Sequence, residues 1–129
     1  MDLVRLSKVA WETKEQAGVD VGHSPMLPKN SSADVVYARL QPGEALHRHF
    51  HRRPASDGFV CCFFFRGASI EIVLSDETLI VNEDEPFHVT FFDQEVHGIR
   101  NLSVEKLLFE VICAPPFREG EEVYESAED

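Results

Sequence analysis

GEALHRHFHRRPASDGFVCCFFFRG, residues 43–67, holds two strand-like runs joined by a loop. ALHRHF at 45–50 follows the turn residues Pro42 and Gly43, and FVCCFFF at 59–65 lies between Gly58 and Gly67. Aromatic and β-branched runs bounded by Gly and Pro read as strands. Side chains alternate faces along a strand, so His47, His49 and His51 are expected on one face and Leu46, Arg48 and Phe50 on the other. Three imidazoles on one face are unfavourable to bury without partners. A shared metal ion would satisfy them, because neutral imidazole binds zinc, iron, nickel and copper. On a solvated strand end the same residues would be merely polar.

The pattern continues on both sides. VVYARL at 35–40, ASIEIVL at 68–74, TLIV at 78–81, FHVTFF at 87–92, VHGIRN at 96–101 and KLLFEVIC at 106–113 bring the count to eight short strands with turn signals between them. No helical period intervenes, so the chain is predicted to be all-β, a sandwich, jelly roll or barrel. Residues 1–34 are expected to form an extension packed on this body, with a short helix over 7–17 capped by Ser7 and ended by Gly18 and Gly22. Residues 23–34 read as a polar loop, with His23 exposed to solvent. The β domain spans 35–117, and Pro115-Pro116 reads as the end of the folded part. Residues 118–129 carry six acids and one Arg and read as a solvated acidic tail.

Composition bounds the function. The chain has 129 residues, 43% of them apolar, which suits one domain with a packed core. The net charge of −11 argues against nucleic-acid binding. No apolar run approaches the ~20 residues that cross a bilayer, and the start MDLVRLSKVAWETKEQ has no apolar leader core. A cytoplasmic protein is expected, without membrane partners. The three cysteines, Cys61, Cys62 and Cys113, read as free thiols, since adjacent cysteines rarely pair and no zinc-ligand spacing is present. Gly-rich phosphate loops, G-x-S-x-G and C-x-x-C are absent, and the acids Glu83-Asp84-Glu85 sit in a turn.

Pro42-Gly43, His47-x-His49, Gly67 and His97-x-x-x-Asn101 together resemble the two motifs of the cupin superfamily, over roughly residues 35–116. The resemblance implies a small jelly-roll β-barrel holding one divalent metal ion (Fe, Zn, Ni or Mn) between the motifs. The family position makes His47, His49 and His97 the first-choice ligands. His51 is a fourth ligand or replaces His47 in register, because Gly43-x5-His49-x-His51 also fits the family spacing. The chain departs from the pattern in several places. The family's acidic ligand position is Val60, with Asp57 the nearest substitute; Phe92 and Gln94 replace the Pro and Gly before the second-motif His; and Pro86-Phe87 replaces a Gly-Asp.

If Val60 faces inward as the family's acid does, Cys62 and Phe64 follow it and Cys61, Phe63 and Phe65 face outward. Glu110, bracketed by apolar residues, is a candidate general acid or base if it lies inside, and an ordinary surface acid if it lies outside. Tyr37 and Arg39 share a face and either bind an anionic group or cover the outer sheet. Arg48, Arg52 and Arg53 form a local positive patch suited to an anionic substrate, or a solvated loop. His88 reads as a surface strand residue. Seven of the ten Phe residues fall within 59–92, enough for an aromatic-lined cavity as well as a core.

The resemblance implies an enzyme acting on a small organic substrate. One possibility is a three-histidine Fe(II) dioxygenase. The other is a Zn or Ni Lewis-acid isomerase or cyclase. The competing reading is a non-catalytic cupin that senses or stores a metal or small ligand. The Ile- and Val-rich strands, like those through which small cupins pair, point to a homodimer.

Overall fold

Period-two burial organises the chain. The computed structural model describes residues 3–23, 32–92, 94–116, 118 and 120–125. Among the described residues there are eleven strands: β1 Ala10–Lys14, β2 Val19–His23, β3 Asp34–Leu40, β4 Ala45–His51, β5 Val60–Phe65, β6 Ala68–Val73, β7 Thr78–Glu83, β8 Phe87–Phe92, β9 His97–Asn101, β10 Leu107–Ala114 and β11 Glu122–Tyr124. They make two antiparallel sheets, β1-β2-β3-β10-β5-β8 and β11-β4-β9-β6-β7. All eight strands expected between 35 and 113 are present. The fold is the jelly roll expected from the sequence.

The inner faces alternate as a sheet-on-sheet core requires. Ala68, Ile70 and Ile72 of β6 are buried, as are Leu107, Phe109 and Cys113 of β10. In β5 the inward set is Cys61, Phe63 and Phe65, with Phe59 just before it, all at most 2% exposed. This corrects the expectation that Val60, Cys62 and Phe64 face inward. The phase follows bulk: burying a Phe ring contributes roughly 2–3 kcal/mol, and the inward phase seats Phe59, Phe63 and Phe65 together. Phe63 and Phe65 each pack on the Phe109 ring, at 5.7 and 5.1 Å between centroids.

Both ends of the chain depart from the sequence reading. In place of a helix over 7–17 there is one short 3-10 turn, Leu6–Lys8, followed by the β1–β2 hairpin. Ala17, Val19 and Val21 are all buried, an i, i+2 pattern that serves a strand and not a helix. His23 ends β2, so its backbone is not in a loop; residues 24–31 of the expected loop lie outside those described.

The acidic tail is not wholly solvated, nor does Pro115-Pro116 end the fold. Glu122, Val123 and Tyr124 pair with His51, Phe50 and His49 of β4. The segment is held by Arg53, only 4% exposed. Its guanidinium donates to the Glu121 carboxylate and to the Pro116 carbonyl and lies 4.5 Å over the Phe59 ring. Residues 120–125 of this acidic stretch return to β4 because the buried Glu121 carboxylate meets a buried cation. Residues 126–129 lie outside those described.

Candidate metal centre

The placement of the histidines turns on one irregularity in β4. Leu46 stands opposite Ile99 and His49 opposite His97, so His47 and Arg48 together face Gly98 alone. That is a β-bulge, with an extra residue on one strand. It has a visible cause. The β1–β2 turn docks beside β4, where the Ala17 carbonyl accepts from the His47 backbone N–H at 2.8 Å and the Gln16 carbonyl accepts from His47 Nδ1 at 3.0 Å. Gly18, at φ +77°, packs there; a Cβ would lie 2.6 Å from His47 Nε2. The bulge inverts the alternation. Leu46 points into the core, His47 is exposed, and His49 and His51 are buried at 3% and 2%.

His97, from β9, is 1% exposed and joins them. The ring-nitrogen ligand atoms of His49, His51 and His97 all lie within 4.8 Å of one another. The trio therefore contains His51 where the first-choice set had His47. The pair His49-x-His51 is the one in the alternative register counted from Gly43.

The hydrogen bonds assign tautomers. A carbonyl only accepts, so His49 Nδ1 carries the proton that it donates to the His47 carbonyl at 2.8 Å. His97 Nδ1 likewise donates to the Glu95 carbonyl at 2.9 Å. In a neutral ring each leaves Nε2 with a lone pair, the form that ligates metals. His97 Nε2 is buried with no hydrogen-bond partner among the described residues. An acceptor so placed is unfavourable by about 1–3 kcal/mol unless something positive meets it. The ring is held by stacking on Phe91, 4.4 Å between centroids at 9°, and by the edge of Phe63.

Electrostatics favour the neutral form. Burial, then His49 beside it, pushes the His97 pKa well below the usual imidazole range. Burial lowers His49 too, against the opposing pull of the His47 carbonyl and Glu122. His51 falls to about 4, through burial first and His49 second, although Glu121 opposes the shift. Glu121 Oε1 sits 3.7 Å from His51 Nδ1. Burial disfavours the Glu121 carboxylate, but the hydrogen bonds from Arg53 and the Arg118 backbone outweigh it and hold its pKa low. Three neutral imidazoles converging on one point fit a divalent ion of the zinc, nickel or iron type.

His49 and His51 open onto a cavity of about 290 Å³. Val19, Val21, Val36, Phe63, Phe109 and Val111 make its apolar walls, and Cys61 and Cys113 add two buried free thiols 3.5 Å apart. The strand facing His49 and His51 is β11, which brings Glu122 and Tyr124 to the cavity. The Tyr124 ring packs 4.9 Å from His49, and its hydroxyl donates to Glu122. Neither residue was a candidate from the sequence. A lone aromatic in the acidic run, within EVYE at 122–125, was the available signal.

The remaining sequence candidates lie elsewhere. Glu110 is outside: Phe109, Val111 and Cys113 line the cavity, so Glu110 is on the opposite face, where it accepts from Arg66 at 2.9 Å. Asp57 sits in the 3-10 turn Ala55–Asp57, 4.0 Å from Arg53. His88 is exposed on β8. Arg39 binds Asp20 at 3.0 Å and lies 4.0 Å over Trp11, covering the outer sheet. The positive patch is largely neutralised, since Arg48 pairs with Glu125 and Arg53 with Glu121. Asn101, fully buried, is a brace: its Nδ2 donates to the Leu40 and Glu105 carbonyls at 3.1 and 2.9 Å.

Two facing antiparallel sheets with histidines from two separated strands between them define the cupin, or double-stranded β-helix, fold. Solved structures agree. The polyketide cyclase RemF from Streptomyces resistomycificus is 19% identical, with TM-score 0.70 over 98% of this chain and 88% of its own. A cupin-2 domain protein from Rhodospirillum rubrum is 12% identical, with TM-score 0.69 over 99% and 82%. A nucleoside dehydratase, Pac13 of Streptomyces, is 15% identical, with TM-score 0.64 over 97% and 91%. At these identities the likeness is one of fold. No protein-family model and no curated protein matches the sequence. Among the described residues no helix is long and apolar enough to cross a membrane.

Proposed function

We propose that the protein binds one divalent metal ion through His49, His51 and His97 and is an enzyme acting on a small organic molecule in the adjoining cavity. The observation that carries this reading is the convergence of three buried ring nitrogens within 4.8 Å, two of the rings fixed with Nε2 unprotonated. When bound, the ion supplies a Lewis acid for a substrate oxygen, or redox chemistry if it is iron. The protein's own residues do the rest. The valine and phenylalanine walls take up the apolar or aromatic part of the substrate and exclude water. Glu122 and Tyr124 form a hydrogen-bonded polar pair on the same cavity, able to orient a substrate hydroxyl or move a proton.

Lewis-acid chemistry and iron-dependent oxygen chemistry are the two candidate classes; structures of this fold include a polyketide cyclase, a nucleoside dehydratase and a predicted oxalate decarboxylase. Consumption of dioxygen by the iron-loaded protein would favour the dioxygenase class. The same reading takes the protein to be cytoplasmic, in keeping with its free thiols, and homodimeric, with exposed Leu79 and Ile80 on the edge strand β7 offering the pairing surface. The test is the metal content of untagged protein, before and after loading with Zn, Ni, Fe or Mn. About one ion per chain in wild type, lost in His97→Ala with the fold retained, is expected. A wild-type chain that cannot be loaded refutes the proposal.

A further inference from the structure

Resting on that metal reading, we infer that Glu122 is a fourth donor to the ion, so that the C-terminal strand completes a centre begun by the histidines. Two independent observations lead there. The first is backbone register. Glu122 and Tyr124 are the cross-strand partners of His51 and His49, and directly opposed residues project from the same face of a sheet. The pairing of β11 with β4 thus places the Glu122 side chain on the histidine face of the sheet, beside His49 and outside the 4.8 Å cluster of the three rings' own donor atoms, from which a side-chain rotation brings it to the ion.

The second is the pairing of atoms. Glu122 Oε2 lies 3.7 Å from His49 Nε2. His49 Nδ1 is committed to the His47 carbonyl, so the neutral ring presents a lone pair toward a carboxylate oxygen. Glu122 Oε2 already accepts from Tyr124, and with side-chain exposures of 4% and 19% the ring nitrogen and the carboxylate oxygen leave room for a cation that both would bind. A divalent ion is such a cation. Nitrogen and oxygen ligands bound at about 2.0–2.2 Å to one tetrahedral ion sit roughly 3.3–3.6 Å apart, close to the separation seen.

Asp34 also lines the cavity, but the acid that lies beside a histidine nitrogen there is Glu122. Glu121 is held by Arg53, and Asp57 lies on the Arg53 side of the loop after β4. Val60, where the first motif of the fold would place an acid, is on the outer side of β5, so no carboxylate reaches the trio from that strand. Tyr124 is the positioning residue: its hydroxyl donates to Glu122 Oε2, and its ring packs on His49.

The experiment titrates the full-length, metal-free protein with Co²⁺ and Zn²⁺, comparing wild type with Glu122→Gln. Glutamine keeps the shape and still accepts from Tyr124, and the paired backbone of β11 is unchanged. Metal-free melting curves of both proteins verify that the fold is intact. Wild type is expected to bind one Co²⁺ with visible bands of a low-coordinate site. Glu122→Gln should bind Zn²⁺ at least about tenfold more weakly and show shifted Co²⁺ bands, because an anionic ligand is lost. Equal affinity and an identical spectrum in the variant overturn Glu122 as a donor and leave the three-histidine site standing. Absence of any binding in wild type overturns both.

Discussion

Gly98 is where the geometry of the histidine trio is most exposed to a single methyl group. A Cβ there would lie 2.8 Å from the Leu46 carbonyl oxygen, 3.1 Å from the Arg48 nitrogen and 3.3 Å from its Cα. All three are backbone atoms, so no side-chain rotation relieves the contact. Carbon and oxygen need about 3.2 Å or more, so β4 must retreat by about half an ångström where the bulge crosses β9. Overpacking of this kind destabilises by about 1–3 kcal/mol. For a chain of this length that is a fall of roughly 3–10 °C in melting temperature for Gly98→Ala. The distinctive expectation concerns metal. His49 begins on the far side of the bulge and its cross-strand partner is His97, so the displacement passes directly between two ligands. Gly98→Ala should therefore weaken Zn²⁺ binding by at least about tenfold, a shift of roughly 0.5 Å being enough to spoil a coordination sphere. The assays are scanning calorimetry of the metal-free protein and competition against a chelating dye. A variant that melts within about 2 °C of wild type and binds Zn²⁺ equally would refute the role given to the bulge.

His47→Ala should leave metal affinity within about threefold of wild type, whereas His51→Ala should lower it by about a hundredfold or more, measured by the same competition. The metal-free protein should lose stability in acid: His49, His51 and His97 have pKa values depressed by burial, so the unfolded chain takes up protons that the folded chain refuses. That contribution is whole above about pH 6.5 and declines as pH falls toward the His51 value of about 4, which thermal melts across that window will follow. Arg53→Met removes the partner of the buried Glu121 carboxylate and should destabilise by about 3–5 kcal/mol, with limited proteolysis cutting first between Pro116 and Glu122 as the tail strand detaches. Glu110→Gln should leave metal binding unchanged and alter the melting temperature by less than about 2 °C, since its partner Arg66 is 77% exposed.

The central strands were legible because each carries its own signal. Ile70 and Ile72, alternating with Ser69 and Glu71, announce period two without help from elsewhere in the chain. Segments whose partners lie far off in the chain carry no such signal. The 7–17 segment has weak local preference and becomes a hairpin because Ala17, Val19 and Val21 find a core to enter. Residues 121–124 read as tail because the cation that holds them, Arg53, is 68 positions away. Strict alternation put His47 beside His49, and only the docking of the Ala17 carbonyl on the His47 backbone reveals why it is not there. Composition along one strand carries no trace of a bulge whose cause is another strand. FVCCFFF at 59–65 is apolar on both faces, so alternation alone leaves the phase of β5 open, and the burial of Phe59, Phe63 and Phe65 decides it.

The hairpin, the bulge and the tail strand all meet β4 at its histidines. The hairpin that displaces the predicted helix also creates the bulge, and the bulge sets His49 and His51 inward. The tail that was expected to be solvent-borne lies across those two residues and brings a carboxylate to the cavity, 3.7 Å from His49. Arg53, which the sequence offered either as part of an anion-steering patch or as a solvated loop residue, anchors that tail. The two ends of the chain thus act on opposite sides of β4, one choosing which imidazoles enter and the other closing over them. A centre assembled this way depends on three remote segments at once. Substitutions at Gly18, Gly98 or Arg53, none of which bears a ligand atom, should therefore lower metal affinity by more than their effect on global stability accounts for.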